Sequence, residues 1–460
     1  MEKQRYLLLI LIALLWTGFM PAVAQEAGQE ARTAVTAERP KWVDNAVLYE
    51  LFVQDFTPEG TFQAIIPRLP ELKSLGVTTL WLMPIHPYGV ERKKGVLGSP
   101  YAVRDYFDVN PDFGTKEDFQ DLVDAVHAEG MHLIIDLVAN HTAWDNAWLA
   151  EHPEWYTQDA TGTITHPPGT DWTDVADLNY DNPDVRHKMK QAMKYWVGAF
   201  NIDGYRCDVA ESVPLDFWED AIAEVRRIKP VMMLAEGEAP ELHRAGFDLT
   251  YAWKLYGTLK DVWNGAPASD FVRVLEEQQN AFPEDALRLR FTTNHDETAW
   301  DAPPPVLFGS LAGARAASVL MTTIRGIPLI YNGQEVGVAE PLPLFEKQPI
   351  DWDQNPELRM FYKKLLGLHD RSRALRQGTM TMLAPEAEDV VLYERATDNA
   401  RLLVAVNVRD REVPLPPLPE DLRDASFKDA FQGEAADFPA SLPPYGYMVL
   451  RVEGQKGQKG

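Results

Sequence analysis

A single cysteine, Cys207, is all the thiol that this 460-residue chain carries. No intramolecular disulfide can therefore form, and stability must come from a large core or a bound ion. Basic residues are also scarce: 44 Lys and Arg stand against 69 Asp and Glu, a formal net charge of −25. That balance excludes nucleic acid and anionic membrane as partners. Past the N-terminal run "YLLLILIALLW", no segment is apolar for long enough to cross a bilayer. No Gly-rich phosphate loop follows the first strand-like stretch, which argues against a doubly wound nucleotide-binding sheet.

The N-terminus has the pattern of a secretory signal. Lys3 and Arg5 precede the apolar run, and Ala22–Val23–Ala24 offers small residues where a peptidase reads them. Cleavage after Ala24 is expected, leaving a secreted or periplasmic protein with no membrane contact. The leader removes Glu2, Lys3 and Arg5, so the net charge becomes −26. Two readings of that acidity stand side by side: an ordinary acidic face, or adaptation to high salt.

After a flexible leader at 25–41, strand-like and helix-like stretches alternate. Strand runs occupy 46–56, 77–87, 131–141, 200–210, 230–238, 247–253, 287–296 and 326–335, and helical patterns such as 115–130 lie between most of them. Eight such strands predict a parallel (β/α)8 TIM barrel, an α/β fold, over 42–141 and 183–377. Residues 142–182 lack periodicity and hold Trp144, Trp148, Trp155, Tyr156 and Trp172. Long loops in compact domains are usually functional, so this stretch reads as a small subdomain over the barrel mouth. Short strands separated by Pro- and Asp-rich turns predict an all-β C-terminal domain, a sandwich, over 378–453. A polar tail closes the chain at 454–460.

In a barrel of this kind, polar residues at the C-terminal ends of strands are the catalytic candidates. Those ends hold Asp136, Asn140 and His141, then Arg206 and Asp208, then Glu236, and finally His295 and Asp296. Three carboxylates converging on one mouth suit glycosidic bond cleavage, as nucleophile, acid/base and stabiliser of positive charge at the sugar. Side chains alternate along a strand, so Arg206 and Asp208 share a face and Cys207 points the other way. Arg206 is expected to hold the Asp208 carboxylate ionised by lowering its pKa.

"DLVANH" (136–141), "GYRCD" (204–208), "AEGE" (235–238) and "TNHD" (293–296) resemble the four ordered signatures of the α-amylase family, glycoside hydrolase family 13. "YAVRDYFDVNPDFGT" (101–115), "DLNY" (177–180) and "GIPLIYNGQE" (326–335) are similar to further signatures of that family. The resemblance runs from about residue 42 to 452. It implies Asp208 as nucleophile, Glu236 as acid/base and Asp296 as transition-state stabiliser. It also implies Tyr101, His141, Arg206 and His295 as substrate-binding residues, with Tyr101 a platform under the sugar. The expected enzyme is a monomer that cleaves α-1,4-glucosidic bonds of starch or maltooligosaccharides with retention. A transglycosylase or α-glucosidase, or a non-catalytic glucan-binding protein, are the rivals. No cofactor is required for the chemistry. The family's common calcium site would draw on Asn140 and Asp177, so a structural calcium is compatible with the sequence. Where many relatives have a Lys–His pair after the nucleophile, this chain has Glu211 and Ser212, which alters the expected leaving-side contacts.

Overall fold

The computed structural model describes residues 39–455, which belong to one compact unit. The expected signal at 1–24, nearly all of the leader and most of the polar tail lie outside the described residues. Among those described, no helix is long and apolar enough to cross a membrane.

Eight parallel strands close a barrel. They are Leu48–Leu51, Thr79–Leu82, His132–Leu137, Gly204–Cys207, Met232–Ala235, Leu249–Tyr251, Leu287–Arg290 and Ile327–Tyr331, each paired with its neighbours in chain order. Every one is shorter than the apolar run that announces it. The chain leaves the ladder early at the C-terminal ends; residues 53–56, for example, turn into a helix rather than extend the first strand. Between the first two strands the chain forms two short helices, Phe62–Ile65 and Leu69–Leu75, on either side of a 3-10 turn that contains Pro67.

Alternation sorts the strand residues into two cores. Leu48, Trp81, Ile134, Leu234, Leu249, Tyr251, Leu289 and Leu329 fill the barrel interior. Tyr49, Leu51, Leu80, Leu133, Ile135, Tyr205, Cys207 and Met233 pack outward beneath the helices. Cys207 is fully buried in that outer layer. Gly204 at the base of the fourth strand has φ +153, and a Cβ there would fall 2.0 Å from the Met232 carbonyl oxygen. Only glycine allows the fourth and fifth strands this approach.

An insertion follows the third strand, carrying the two-stranded antiparallel pair His141–Ala143 and Val175–Asp177. His141 therefore lies on its own short strand rather than at the end of the third barrel strand. Trp144, Trp148 and Trp155 are buried, whereas Trp172 is half-buried at the barrel mouth. The C-terminal region is a six-stranded antiparallel sheet. One face, with Val391, Tyr393, Val404 and Val449, joins the core beneath the barrel helices. The other packs on a two-stranded ribbon, Val413–Pro414 with Ser441–Leu442, so the second layer of the expected sandwich is only that ribbon.

Candidate active site

The fourth strand delivers Arg206 to the barrel axis with no solvent exposure. A guanidinium has five donors and no acceptor, so it needs anions around it. Its Nη1 donates to Asp136 Oδ1 at 2.9 Å and to Asp208 Oδ1 at 2.8 Å. Its Nη2 lies 2.8 Å from Glu236 Oε2 as an ion pair without the alignment of a hydrogen bond. Nε donates to the Tyr251 hydroxyl, and the guanidinium faces the rings of Trp81, Tyr101 and Tyr251 at 5.4–5.7 Å. One cation thus serves three carboxylates, brought from the third, fourth and fifth strands.

Burial overturns one expectation. Asp208 is pushed up to about 6, not down, because burial outweighs the attraction of Arg206, and Asp136 and Asp296 add repulsion. Glu236 is pushed up to about 7, by burial first and then by Asp208 and Asp296, against the pull of Arg206. Val209, next to Asp208, donates its backbone N–H to Glu236 Oε2 at 2.7 Å. Its φ of +37 is the left-handed region, costly for a β-branched residue. That strained peptide fixes Glu236 against the nucleophile candidate, and nothing in the sequence announced it.

On the opposite wall, His295 is buried and joined to Glu50 of the first strand through Nδ1. Its Nε2 lies 2.7 Å from the Tyr101 hydroxyl and 3.2 Å from Asp296 Oδ2. Burial pulls the imidazole down, but Asp296 and Glu50 outweigh it and raise His295 to about 9. Both ring nitrogens then donate, leaving the Tyr101 hydroxyl free to donate to Asp136 Oδ2 at 3.2 Å. The Tyr101 ring also stacks on His295, with centroids 5.3 Å apart. His141 has the opposite character: burial lowers it to about 4, so it is neutral. Its Nδ1 faces the Asn140 amide at 3.3 Å. With that nitrogen accepting, Nε2–H is the donor.

Asp208, Glu236, Asp296, Tyr101, His141 and His295 all line one cavity of about 390 Å³. Trp172 flanks it on the inserted segment, and Phe345 with the exposed Trp300 flanks it elsewhere, their rings 5.7 Å apart. Arg206 lies behind the wall and acts through the carboxylates. Sequence reasoning gave no role to Asp136 and missed Glu50 and Trp81. A lone carboxylate within the apolar run "LYELF" was the available signal for Glu50. Glu211 accepts from the backbone N–H groups of Glu238 and Ala239, so it braces the loop after the fifth strand.

Asn140 and Asp177 lie at the start and end of the inserted segment's two-stranded pair, where His141 pairs with Asp177. Toward the six to eight oxygens that calcium takes, this pair would supply one carboxylate and one amide, the rest falling to backbone carbonyls and water. Among the described residues, no group of three or more His, Cys, Asp or Glu is placed to hold a metal.

Comparison with known proteins bears on the same residues. The α-amylase catalytic-domain model matches 29–172 and 168–244. An α-amylase, MalA, of Haloarcula japonica is 30% identical over 84% of this chain, which spans 58% of that relative's length. A cyclomaltodextrinase of Geobacillus thermopakistaniensis is 27% identical, covering 90% of this chain and 78% of its own. Among solved structures, an α-amylase from Lactobacillus plantarum superposes with a TM-score of 0.79 at 31% identity, over 89% of this chain and 99% of that one. A maltogenic α-amylase, AmyB, from Thermotoga neapolitana superposes at 0.78 and 29% identity, over 89% and 97%.

Proposed function

We propose that this chain, which belongs to the α-amylase family of retaining glycoside hydrolases and acts on α-glucans, is an exported enzyme that cleaves the α-1,4 bonds of starch-type chains. Asp208 would be its nucleophile, Glu236 its acid/base and Asp296 the stabiliser. The observation that carries this reading is the single guanidinium of Arg206 within 2.8 Å of both Asp208 and Glu236, at one cavity that Asp296 also lines. Export is supported by the basic, apolar and small-residue pattern of the first 24 residues.

In the first step Glu236 gives its proton to the glycosidic oxygen while an oxygen of Asp208 bonds to the anomeric carbon, and the leaving chain departs as an alcohol. In the second, ionised Glu236 takes a proton from water. The water oxygen bonds to that carbon, and the ester to Asp208 breaks. The positive charge that grows at the sugar between these states faces Asp296 and Asp208. Neutral His141 offers an N–H to a sugar hydroxyl without adding charge of the wrong sign.

The assignment predicts a bell-shaped kcat/KM on soluble starch, rising as Asp208 ionises near pH 6 and falling as Glu236 loses its proton near pH 7. Glu236→Gln should abolish starch cleavage yet retain the first step on an activated aryl glucoside, whose leaving group needs little protonation. Equal loss on both substrates would remove Glu236 from the acid role. Proton NMR should show the α-anomer as first product; the β-anomer would contradict the nucleophile assignment.

A further inference from the structure

The outward faces of most barrel strands are apolar, but the seventh carries Arg288 and Arg290 there, with Leu287 and Leu289 turned inward. Both arginines are buried, at 4% and 5% exposure, in a protein with a net charge of −25. Buried guanidinium groups normally have carboxylate partners. Arg288 has one, Glu238, reached through Nη2. Its Nε and Nη1 are buried without a partner, under the Phe282 ring, 3.8 Å from the guanidinium carbon.

Arg290 has no carboxylate partner among the described residues. Its Nε donates to the Arg325 carbonyl at 2.9 Å and its Nη1 to Gln278 Oε1 at 3.0 Å, and its Nη2 makes no hydrogen bond among the described residues. Among the described residues Arg325, half-buried, donates only to the Glu284 carbonyl and forms no ion pair. All three arginines line a cavity of about 660 Å³ between the seventh strand, the helix Ala268–Ala281 and the start of the C-terminal sheet at Gly378–Met380. Gly326 holds that cavity open: a Cβ there would sit 2.7 Å from Arg290 Nε. Burial and the charges of Arg288, Arg325 and the nearby Arg395 hold Arg290 well below its usual value, although Glu238 opposes them.

We propose that this cavity is an anion-binding site, in which Arg290 and Arg325 grip a phosphate-type oxyanion with Arg288 adding charge from behind. It is separate from the catalytic cavity and shares no lining residue with it. A bound anion would satisfy the unpaired face of Arg290 and relieve repulsion among the guanidinium groups. It would also tie the seventh strand to the C-terminal sheet, and so stabilise the folded chain by mass action.

Inorganic phosphate and a hexose phosphate, titrated at constant ionic strength, test this by calorimetry and by Tm. Both quantities should show saturable binding to the wild type. Phosphate should bind about tenfold or more weakly to Arg290→Gln and to Arg325→Gln, each of which removes a charged donor. Tighter binding of the hexose phosphate would assign the site to an organic anion, and equal binding to the free oxyanion; both outcomes support the proposal. No binding of either probe, or unchanged binding in both variants, would overturn it. If Arg290→Gln fails to fold, the half-buried Arg325→Gln carries the test alone.

Discussion

Glu50 of the first strand and His295, which begins the short helix His295–Trp300 after the seventh strand, form a buried pair 245 residues apart. Burial raises Glu50, which opposes its ionisation, while Asp296 and Glu50 hold His295 at about 9 against its own burial. The imidazolium donates through Nδ1 to Glu50 and through Nε2 toward Asp296 and Tyr101, so Glu50 fixes the orientation of the group that positions Asp296. A His raised from 6.5 to about 9 adds stability that is complete below pH 6.5 and lost as pH rises through 9. Above pH 7 Glu236 has released its proton, and His295 governs the slope. Denaturant unfolding of the wild type should therefore show stability falling between about pH 7 and 9. Glu50→Gln should show a shallower fall, because the amide cannot hold the extra proton on the ring. Identical slopes in the two proteins would mean that Glu50 does not keep His295 charged.

At the scale of the element, the fourth strand separates chemistry from packing by one residue. Arg206 and Asp208 face the axis, whereas Cys207 lies among Tyr205, Tyr180 and other outer-core side chains. Burial raises the thiol well above its usual value, so no thiolate is available as a nucleophile. Cys207→Ala should keep turnover within about tenfold and lose roughly 1–2 kcal/mol to a small cavity. Asp208→Asn should lose essentially all turnover on soluble starch. A dead but folded Cys207→Ala enzyme would reverse that assignment. The faces of this strand were legible in the sequence because period-two alternation needs no tertiary information. The eight strands were legible for the same reason, but their ends were not. The apolar runs continue into loops that are buried by the inserted segment and by the strand-end turns themselves. The ends of the ladder are set by hydrogen bonding rather than by hydrophobicity. The convergence of Asp208, Glu236 and Asp296 was readable from their strand-end positions. The competition of three carboxylates for Arg206 was not, since it depends on Asp136 reaching across from a neighbouring strand. The sign of the Asp208 shift came out opposite to the one expected from the Arg–Asp pair because burial outweighs Arg206, with repulsion from Asp136 and Asp296 added.

For the whole molecule, the surplus of 69 acidic over 44 basic residues lies mostly outside the catalytic cavity. Of the buried carboxylates, Asp136, Asp208 and Glu236 are compensated in part by Arg206, and Asp203 by Lys229 and His127. Asp248 is compensated by Arg226. Apart from the buried Asp55, Asp177 and Glu335, most of the remaining carboxylates are surface charge of one sign, and self-repulsion of that kind lowers the stability of the compact state. Salt relieves it in two regimes. Up to ~0.1 M the screening length shrinks to about 10 Å, which removes repulsion between distant carboxylates in any acidic protein. Near 1 M it falls to about 3 Å, and only a surface crowded with close like charges still gains over that range. If the acidity is an adaptation to high salt, Tm measured in potassium chloride should keep rising from ~0.1 M to molar concentrations. Chloride is the suitable anion because sulfate and phosphate stabilise proteins by exclusion from the surface, whatever the charge. A Tm that levels off by ~0.1 M would leave the carboxylates as an ordinary acidic face. A continued rise would mean that repulsion between near neighbours, rather than the net charge seen at a distance, limits the stability of this fold at low salt.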